Sequence, residues 1–412
     1  MFRHPVRSGI AFLILGLAAG CVTGPERIQA TRTQYNVVLQ QTANEQMLLN
    51  LVRLRYHEPV LFLEVSSLTS SFSLGANASA SAFLPKKAPN SFGLGAGASL
   101  AEYPSVSYTP LQGEQYATRV LTEVDMSMFT RLYNAGWNLE LLMRVLTERI
   151  ADMDNKPGPT EAVGTRTPYG RFLDLAKSMR NLQERGSLAF IVLPGEDVVL
   201  SDHVPAEDVK TGAIIAGDKE GYRYVPGKDG KYELRKSGPP MLVMEMRCRD
   251  PAEAVHLAEL LDIRPPGTTT EAPLVLRVRL IHYTDVASEN PNSGLPQVPI
   301  RLRSMLDVLF YVAQAVDVPA RDVKRGVVKV SHDEAGNAID RREYLKDTLS
   351  VSSGLLKPGS ASVSVAYRGH WFYIDDADLA SKDTFALLGI VFAIQSGDVK
   401  MSQPVLTIPV IQ

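Results

Sequence analysis

Residues 68–84 read LTSSFSLGANASASAFL and residues 91–100 read SFGLGAGASL. In the first stretch Leu68, Phe72, Leu74, Ala76, Ala78, Ala80, Ala82 and Leu84 occupy even positions, where only Ser70 is polar. The odd positions are Thr, Ser, Gly and Asn, apart from Phe83. In the second stretch Phe92, Leu94, Ala96, Ala98 and Leu100 alternate with Ser91, Gly93, Gly95, Gly97 and Ser99. A period of two is that of a strand with two different faces. Pro85, Lys86, Lys87, Ala88, Pro89 and Asn90 lie between them and are turn residues. One long β-hairpin is therefore predicted over residues 67–110. Between Glu64 and Glu102 the only charges are Lys86 and Lys87, both in the turn, in a chain with 21% charged residues. A wet sheet face normally carries Lys, Glu or Thr. Long uncharged dyad-repeat strands joined by a basic turn have the composition of a membrane hairpin.

Two arrangements satisfy that pattern. In one, each protomer gives two strands to a shared transmembrane barrel. A lone hairpin cannot span a bilayer, because its edge N–H and C=O groups would find no partners in lipid, so this arrangement requires oligomerisation. Phe72, Phe83, Phe92, Tyr103 and Tyr108 fall towards the strand ends, where aromatic girdles sit, whereas Ala76, Ala78, Ala80 and Ala82 make a thin lipid face. In the other arrangement the hairpin is a tongue that packs on the protein's own helices or on a neighbour.

The rest of the chain is read around this element. Arg3, His4 and Arg7 precede an apolar run, Ile10 to Ala19, too short to span a membrane. The following Leu17-Ala18-Ala19-Gly20-Cys21 resembles the bacterial lipoprotein signal, with Leu17 one place further from the cysteine than the pattern has it. The resemblance implies that residues 1–20 are a signal peptide, that Cys21 is acylated and becomes the N-terminus, and that Val22 directs sorting to the outer membrane. Residues 21–34 would be a lipidated tether, and two acyl chains suffice for stable anchoring. The only other cysteine, Cys248, then has no partner for a disulfide. It shares the register Leu242, Met244, Met246 and Cys248, opposite Val243, Glu245, Arg247 and Arg249, which predicts a buried, inert thiol. A formal charge of −2 with no basic run longer than two residues gives no sign of nucleic-acid binding. After the signal no segment approaches the length of a transmembrane helix.

Residues 34–55 are predicted helical, with Val37, Met47, Leu48, Leu51 and Leu54 on one side, interrupted by Asn44, and Thr42, Gln46, Asn50 and Arg53 on the other. His57-Glu58-Pro59 ends the helix, and 60–65 is a short strand leading into the hairpin. Pro110 and Gly113 punctuate its exit. A helix over 114–132 is expected from Tyr116, Val120, Leu121, Val124, Met128 and Leu132. Another starts at the N-cap Asn138 and carries Leu141, Leu142, Val145, Leu146 and Ile150. Residues 151–168 read as a loop. Downstream, elements alternate: helix 172–185, strand 188–193, an exposed hairpin within 213–236 and strand 241–247. Asp250-Pro251-Ala252-Glu253 then opens a helix burying Val255, Leu257, Ala258 and Leu261, followed by strand 274–282. Ser304 caps a helix bearing Met305, Leu306, Leu309, Phe310, Ala313 and Val316. A strand at 327–330, a hairpin at 362–367 and 370–374, a helix at 381–395 that is apolar nearly all round and is expected to be buried, and a strand at 405–410 complete the chain. This is an α+β fold. The segments are 35–66, an N-terminal helix and short strand; 67–110, the hairpin; 111–160, helical; and 161–412, the α+β body.

Little suggests chemistry. His4, His57, His203, His256, His282, His332 and His370 form no HExxH pair and stand at no metal-ligand spacing, so neither metal nor cofactor is expected. His370 with Asp375 and Asp376 is the nearest to a polar cluster, able to hold an ion or a polysaccharide; otherwise the aspartates supply a turn and a helix start. There is no GxSxG elbow, and Ser353 and Lys357 have SxxxK rather than SxxK spacing. Gly93-Leu94-Gly95-Ala96-Gly97-Ala98 matches a GxGxxA fingerprint only on paper, because it continues a strand period where a helix is needed.

Residues 41–55 (QTANEQMLLNLVRLR), 63–67 (LEVSS), 108–114 (YTPLQGE) and 371–376 (WFYIDD) resemble blocks of a proteobacterial lipoprotein family with no assigned activity. The resemblance spans most of the mature chain and implies only an envelope location. The expected protein is thus a non-enzymatic outer-membrane lipoprotein facing the periplasm, a homo-oligomer or subunit of an envelope complex. Its hairpin would serve oligomerisation, partner docking or an export pore. The alternative is a peptidoglycan- or polysaccharide-binding lipoprotein using exposed aromatics such as Trp371 and Tyr373.

Overall fold

The computed structural model describes residues 24–83, 91–158, 167–195, 197–209, 221–227, 231–236, 238, 240–265, 274–285, 294–332 and 336–395. Over 24–32, 68–83 and 91–104 it describes the backbone. Cys21, Leu84, the hairpin turn and the strand expected at 405–410 lie outside the described residues.

The strands in chain order are β1 (Leu63–Phe83), β2 (Ser91–Pro110), β3 (Thr147–Ile150), β4 (Met153–Asp154), β5 (Leu188–Leu193), β6 (Val198–Val204), β7 (Tyr222–Pro226) and β8 (Tyr232–Lys236). They continue as β9 (Met241–Cys248), β10 (Leu274–His282), β11 (Gln297–Leu302), β12 (Ser331–His332), β13 (Ala338–Ile339), β14 (Ser352–Gly354), β15 (Ala361–Tyr367) and β16 (His370–Asp375). The helices are α1 (Gly24–Arg55), α2 (Gly113–Tyr116), α3 (Met126–Asn134), α4 (Leu139–Leu146) and α5 (Pro168–Glu184). After them come α6 (Pro251–Leu260), α7 (Met305–Val312), α8 (Ala320–Lys324) and α9 (Leu379–Gln395). Helices interspersed with largely antiparallel sheets make the fold α+β. No helix among the described residues is long and apolar enough to cross a membrane.

The chain divides into two compact units that interleave in sequence. The first comprises Met1–Arg119, Ser352–Asp378 and Ala386–Gln412; the second comprises Val120–Val351 and Leu379–Phe385.

The second unit is built on a six-stranded sheet in the order β4-β3-β11-β10-β9-β5, in which only β10 and β11 run parallel. Along β10, Leu274, Leu276, Val278 and Leu280 are buried while Val275 and Arg277 are exposed. One face is therefore covered and the other open. Helices α3, α4 and α5 lay Phe129, Leu139, Met143 and Met179 against Ile150, Phe190, Met244, Leu280 and Ile300 of the sheet. On the open face Glu245 is only 5% exposed, because Arg277 of β10 and Arg247 of its own strand fold over it at 2.8 and 3.1 Å. Cys248 is buried, as its register predicts, and burial pushes its thiol pKa up to about 11.

The helix caps were legible. Asn138, Ser304 and Asp250 each accept a hydrogen bond from the N3 backbone N–H of the helix they open. Elsewhere the pattern misled. The helix expected over 114–132 is broken, with α2 and a π-turn at Ala117–Leu121 ending before an extended link to α3. In that link Glu123 pairs with Ser304 and the Val124 N–H donates to Arg303 O. The Asp125 carboxylate, which caps Met128 N, explains the restart. Ile150 is not in α4. The helix ends at Leu146, Thr147 turns extended, and 147–150 becomes β3, paired with β11.

The loop expected over 151–168 instead contains β4, buried Met153 and Asn155, and a first turn of α5 opened by Thr167 and Pro168. Strand β6 lay in none of the expected elements and pairs with β8, while 327–330 forms no strand. Val37 and Val255 stay exposed. Helix α9 buries Phe385, Leu387, Leu388 and Val391 but exposes Leu379 and Ile394, so it is not enclosed on all sides.

The buried polar centre of this unit is Arg303, 4% exposed. Among the described residues it has no carboxylate in hydrogen-bond contact. Instead it donates to the carbonyls of Arg144 and Val145 at 3.2 and 3.1 Å and of Asn155 at 2.7 Å. Its guanidinium lies 3.8 Å from the Tyr311 ring centre. Asn155, fully buried, donates to the carbonyls of Met143, Arg144 and Thr147. The Arg144 and Val145 carbonyls belong to the last turn of α4, where intrahelical donors run out and the dipole favours a cation; Met143 O in the same turn also accepts the Thr147 N–H. Arg303→Ala should therefore cost about 3 kcal/mol, and Asn155→Ala about 2 kcal/mol. Both would appear as lower urea midpoints, and a loss under about 1 kcal/mol for Arg303→Ala would refute the capping role.

Candidate functional site

In the first unit the hairpin is continuous from Leu63↔Pro110 to Phe83↔Ser91. Its register does what alternation in each strand alone cannot: it puts the two apolar rows opposite one another. Leu74 pairs with Leu100, Ala76 with Ala98, Ala78 with Ala96, Ala80 with Leu94 and Ala82 with Phe92. In the other row Gly75 pairs with Ser99, Asn77 with Gly97, Ser79 with Gly95 and Ser81 with Gly93. Phe72 stands opposite Glu102, so the uncharged block of both strands begins at Ser73↔Ala101 and runs to Phe83↔Ser91. At about 3.3 Å per residue that block is about 33 Å long. Tilted by roughly 40°, it rises about 25 Å, the height of the apolar band of a membrane barrel.

The ribbon is a sheet of two strands with no third among the described residues. Both long edges therefore carry unpaired N–H and C=O groups. The Gly93–Ala98 run lies inside β2, with no helix after it, so it is not a nucleotide loop.

The root of the ribbon is built by α1. Asn50, fully buried, donates to Leu61 O at 2.8 Å and accepts from Leu61 N–H at 3.1 Å. Gln46 donates to Leu63 O at 3.2 Å and accepts from Leu63 N–H at 2.6 Å. Residues four apart on a helix are about 6 Å apart along its axis, and residues two apart on a strand are about 6.6 Å apart. Two side-chain amides therefore present the donor and acceptor pattern of a neighbouring strand. The sequence pattern had assigned both residues to the solvent side of α1, so this is a correction. Its overlooked signal was a pair of primary amides at i and i+4 where the apolar stripe is strongest.

Three further contacts fix the entry. Arg119, 5% exposed, makes an ion pair with Glu64. The Leu111 N–H continues the ladder to Phe62 O at 2.9 Å. Phe62, 1% exposed, stacks on Phe392 with ring centres 4.5 Å apart. A bulge between Val65 and Ser67 shifts the register just above this point, and the Ser66 hydroxyl donates to Ser107 O at 3.1 Å.

The C-terminal end of α1 packs on the three-stranded sheet β14-β16-β15. Tyr56 meets the edges of Tyr367 and Phe372, and Arg368 lies 4.9 Å over the Tyr56 ring. Glu58 accepts from the Tyr367 hydroxyl and, at 2.6 Å, from Arg368. The Tyr367 hydrogen bond, then Arg368, holds the Glu58 carboxyl below its ordinary value of 4.5.

The same sheet carries the other candidate residues. His370 opens β16 and is buried, whereas Asp375 closes it and is exposed. Five residues of strand hold them about 16 Å apart, and Asp375 instead accepts from Ala377 N–H at 2.9 Å. The structure therefore does not gather His370, Asp375 and Asp376 into one site. No group of three His, Cys, Asp or Glu among the described residues is placed to hold a metal ion. Trp371 and Tyr373 are half-buried, not the exposed platforms that sugar binding would use. Compared with protein-family models, with curated proteins and with solved structures, the chain matches none.

Two outcomes follow from the root. Asn50→Leu keeps the volume but leaves the part-buried N–H and C=O of Leu61 without their side-chain partner, and should cost about 1–2 kcal/mol. Gln46→Leu, nearer to solvent, should cost about 1 kcal/mol. Faster hydrogen exchange at Leu61 and Leu63 would accompany both, and unchanged exchange would refute the clamp. Because the Glu58 pKa is lowered on folding, the unfolded chain binds more protons as pH falls below about 5. Glu58 therefore stabilises the fold above its unfolded pKa of 4.5, and that contribution is lost as pH drops through the lower folded value. Thermal melts between pH 6 and pH 3 should show Glu58→Gln with a shallower acid decline than the parent. Identical slopes would refute the coupling.

Proposed function

We propose that this chain is a non-enzymatic outer-membrane lipoprotein, anchored by acylated Cys21 and facing the periplasm, which acts as an assembly subunit of an envelope complex. The observation that carries the reading is the two-edged, uncharged ribbon on a rigid root. A ribbon this long with both edges open is completed by strands of other chains, either further copies of this one or an envelope partner. If completion occurs in the bilayer, the apolar row Phe72, Leu74, Ala76, Ala78, Ala80 and Ala82, with Phe92, Leu94, Ala96, Ala98 and Leu100, faces lipid. The Ser, Asn and Gly row then lines a pore. If completion occurs outside the bilayer, the same ribbon is a docking tongue. Its length supports the first case, and its thin alanine face the second.

A cysteine scan over residues 72–82 in a Cys248→Ala background separates them. Each site carries an environment-sensitive dye, read in reconstituted membranes with a lipid-resident quencher. Quenching at even sites with odd sites spared is the barrel outcome. Uniformly unquenched dyes in a stable oligomer mean a docking tongue. A monodisperse monomer in detergent with no strand partner recovered from the native envelope would refute the assembly role altogether.

A further inference from the structure

The two most exposed large apolar residues among those described are neighbours in sequence: Leu355 is 75% and Leu356 83% exposed. They form the crest of the loop joining β14 to β15 in the first unit. Folding forgoes the gain of burying both, so their exposure asks for a use outside the chain. The crest is narrow, flanked by Ser352, Ser353 and Gly354 before it and by Lys357, Pro358, Gly359 and Ser360 after it. A protein-docking surface would normally be a wider apolar patch.

The neighbouring residues suit a lipid surface instead. The Lys357 ammonium lies 5.3 Å from the centre of the half-buried Trp371 ring. No carboxylate among the described residues lies within ion-pair distance of it, so the charge is available to a phosphate. Two leucines at a tip, a cation one residue behind and an indole beneath it form the sequence of polarity from acyl chain to headgroup.

We propose that this loop is a second membrane contact, with Leu355 and Leu356 entering the acyl boundary and Lys357 meeting anionic headgroups at the level of Trp371. The inference rests on the reading of the chain as membrane-anchored and is independent of whether the hairpin inserts. The loop would fix how the first unit lies on the bilayer, which an acylated, polar N-terminal segment alone does not.

The test uses acylated protein with Cys248→Ala on vesicles of phosphatidylethanolamine containing phosphatidylglycerol and a lipid-resident quencher. Dyes are placed at Leu355→Cys and Leu356→Cys, with exposed Asp376→Cys as reference. Quenching at 355 and 356 should exceed that at 376 several-fold, and Lys357→Glu should weaken it as added salt does. Because an apolar dye can itself seek lipid, a further dye at Gly359→Cys should lose at least about fivefold of its quenching when Leu355→Ser and Leu356→Ser are added.

Equal quenching at all three sites with the protein on the vesicles would overturn the loop contact and leave the anchor intact. Protein that stays off the vesicles would overturn both. Quenching at the loop with hairpin dyes unquenched would uphold the contact and exclude the barrel.

Discussion

The first unit depends on a match of two repeat distances. Four residues of helix and two residues of strand advance by nearly the same length, so Gln46 and Asn50 can read the backbone of Leu63 and Leu61 as an adjoining strand would. Without that pairing the part-buried N–H and C=O of Leu61 at the entry to β1 would have no protein partner. With it, the start of a long ribbon is held to a helix that also buries Met47, Leu48, Leu51 and Leu54. Rigidity at the root matters because no third strand among the described residues stiffens the ribbon.

The second unit solves a related problem by burying a charge. The last turn of α4 must end where β3 begins, and its free carbonyls lie in the core. Arg303, far from that helix in sequence, and Asn155, a few residues beyond it, supply further donors. Burial pulls the Arg303 pKa down from the usual guanidinium value, and the Tyr311 face and carbonyl oxygens keep the cation satisfied without a carboxylate in contact. In both units, then, side chains take over hydrogen bonds where backbone segments of different type meet.

The proposed membrane role places different parts of the first unit at different tasks. The ribbon offers open edges to other strands, and the crest at Leu355 and Leu356 offers an apolar tip with a cation behind it. Both are costly features for a monomer in water, and both become favourable once strand partners or acyl chains replace that water.

Local pattern was sufficient for what is local. The period of two in 68–100, the helix caps at Asn138, Asp250 and Ser304, the α+β class and the buried register of Cys248 all follow from chemistry within a few residues of themselves. The breaks at Thr122–Asp125 and after Leu146 did not follow, because distant backbone, Arg303 and β11, decides whether those residues stay helical. The functions of Gln46, Asn50, Arg119 and Asn155 were hidden for the same reason: a polar side chain in an expected helix or loop looks solvated until a buried partner is known. The sequence by itself determined that the hairpin has two rows of opposite polarity. Only the tertiary structure decided that the rows coincide across the strands and which helix roots them, because register and docking are set by long-range pairing that no local period encodes.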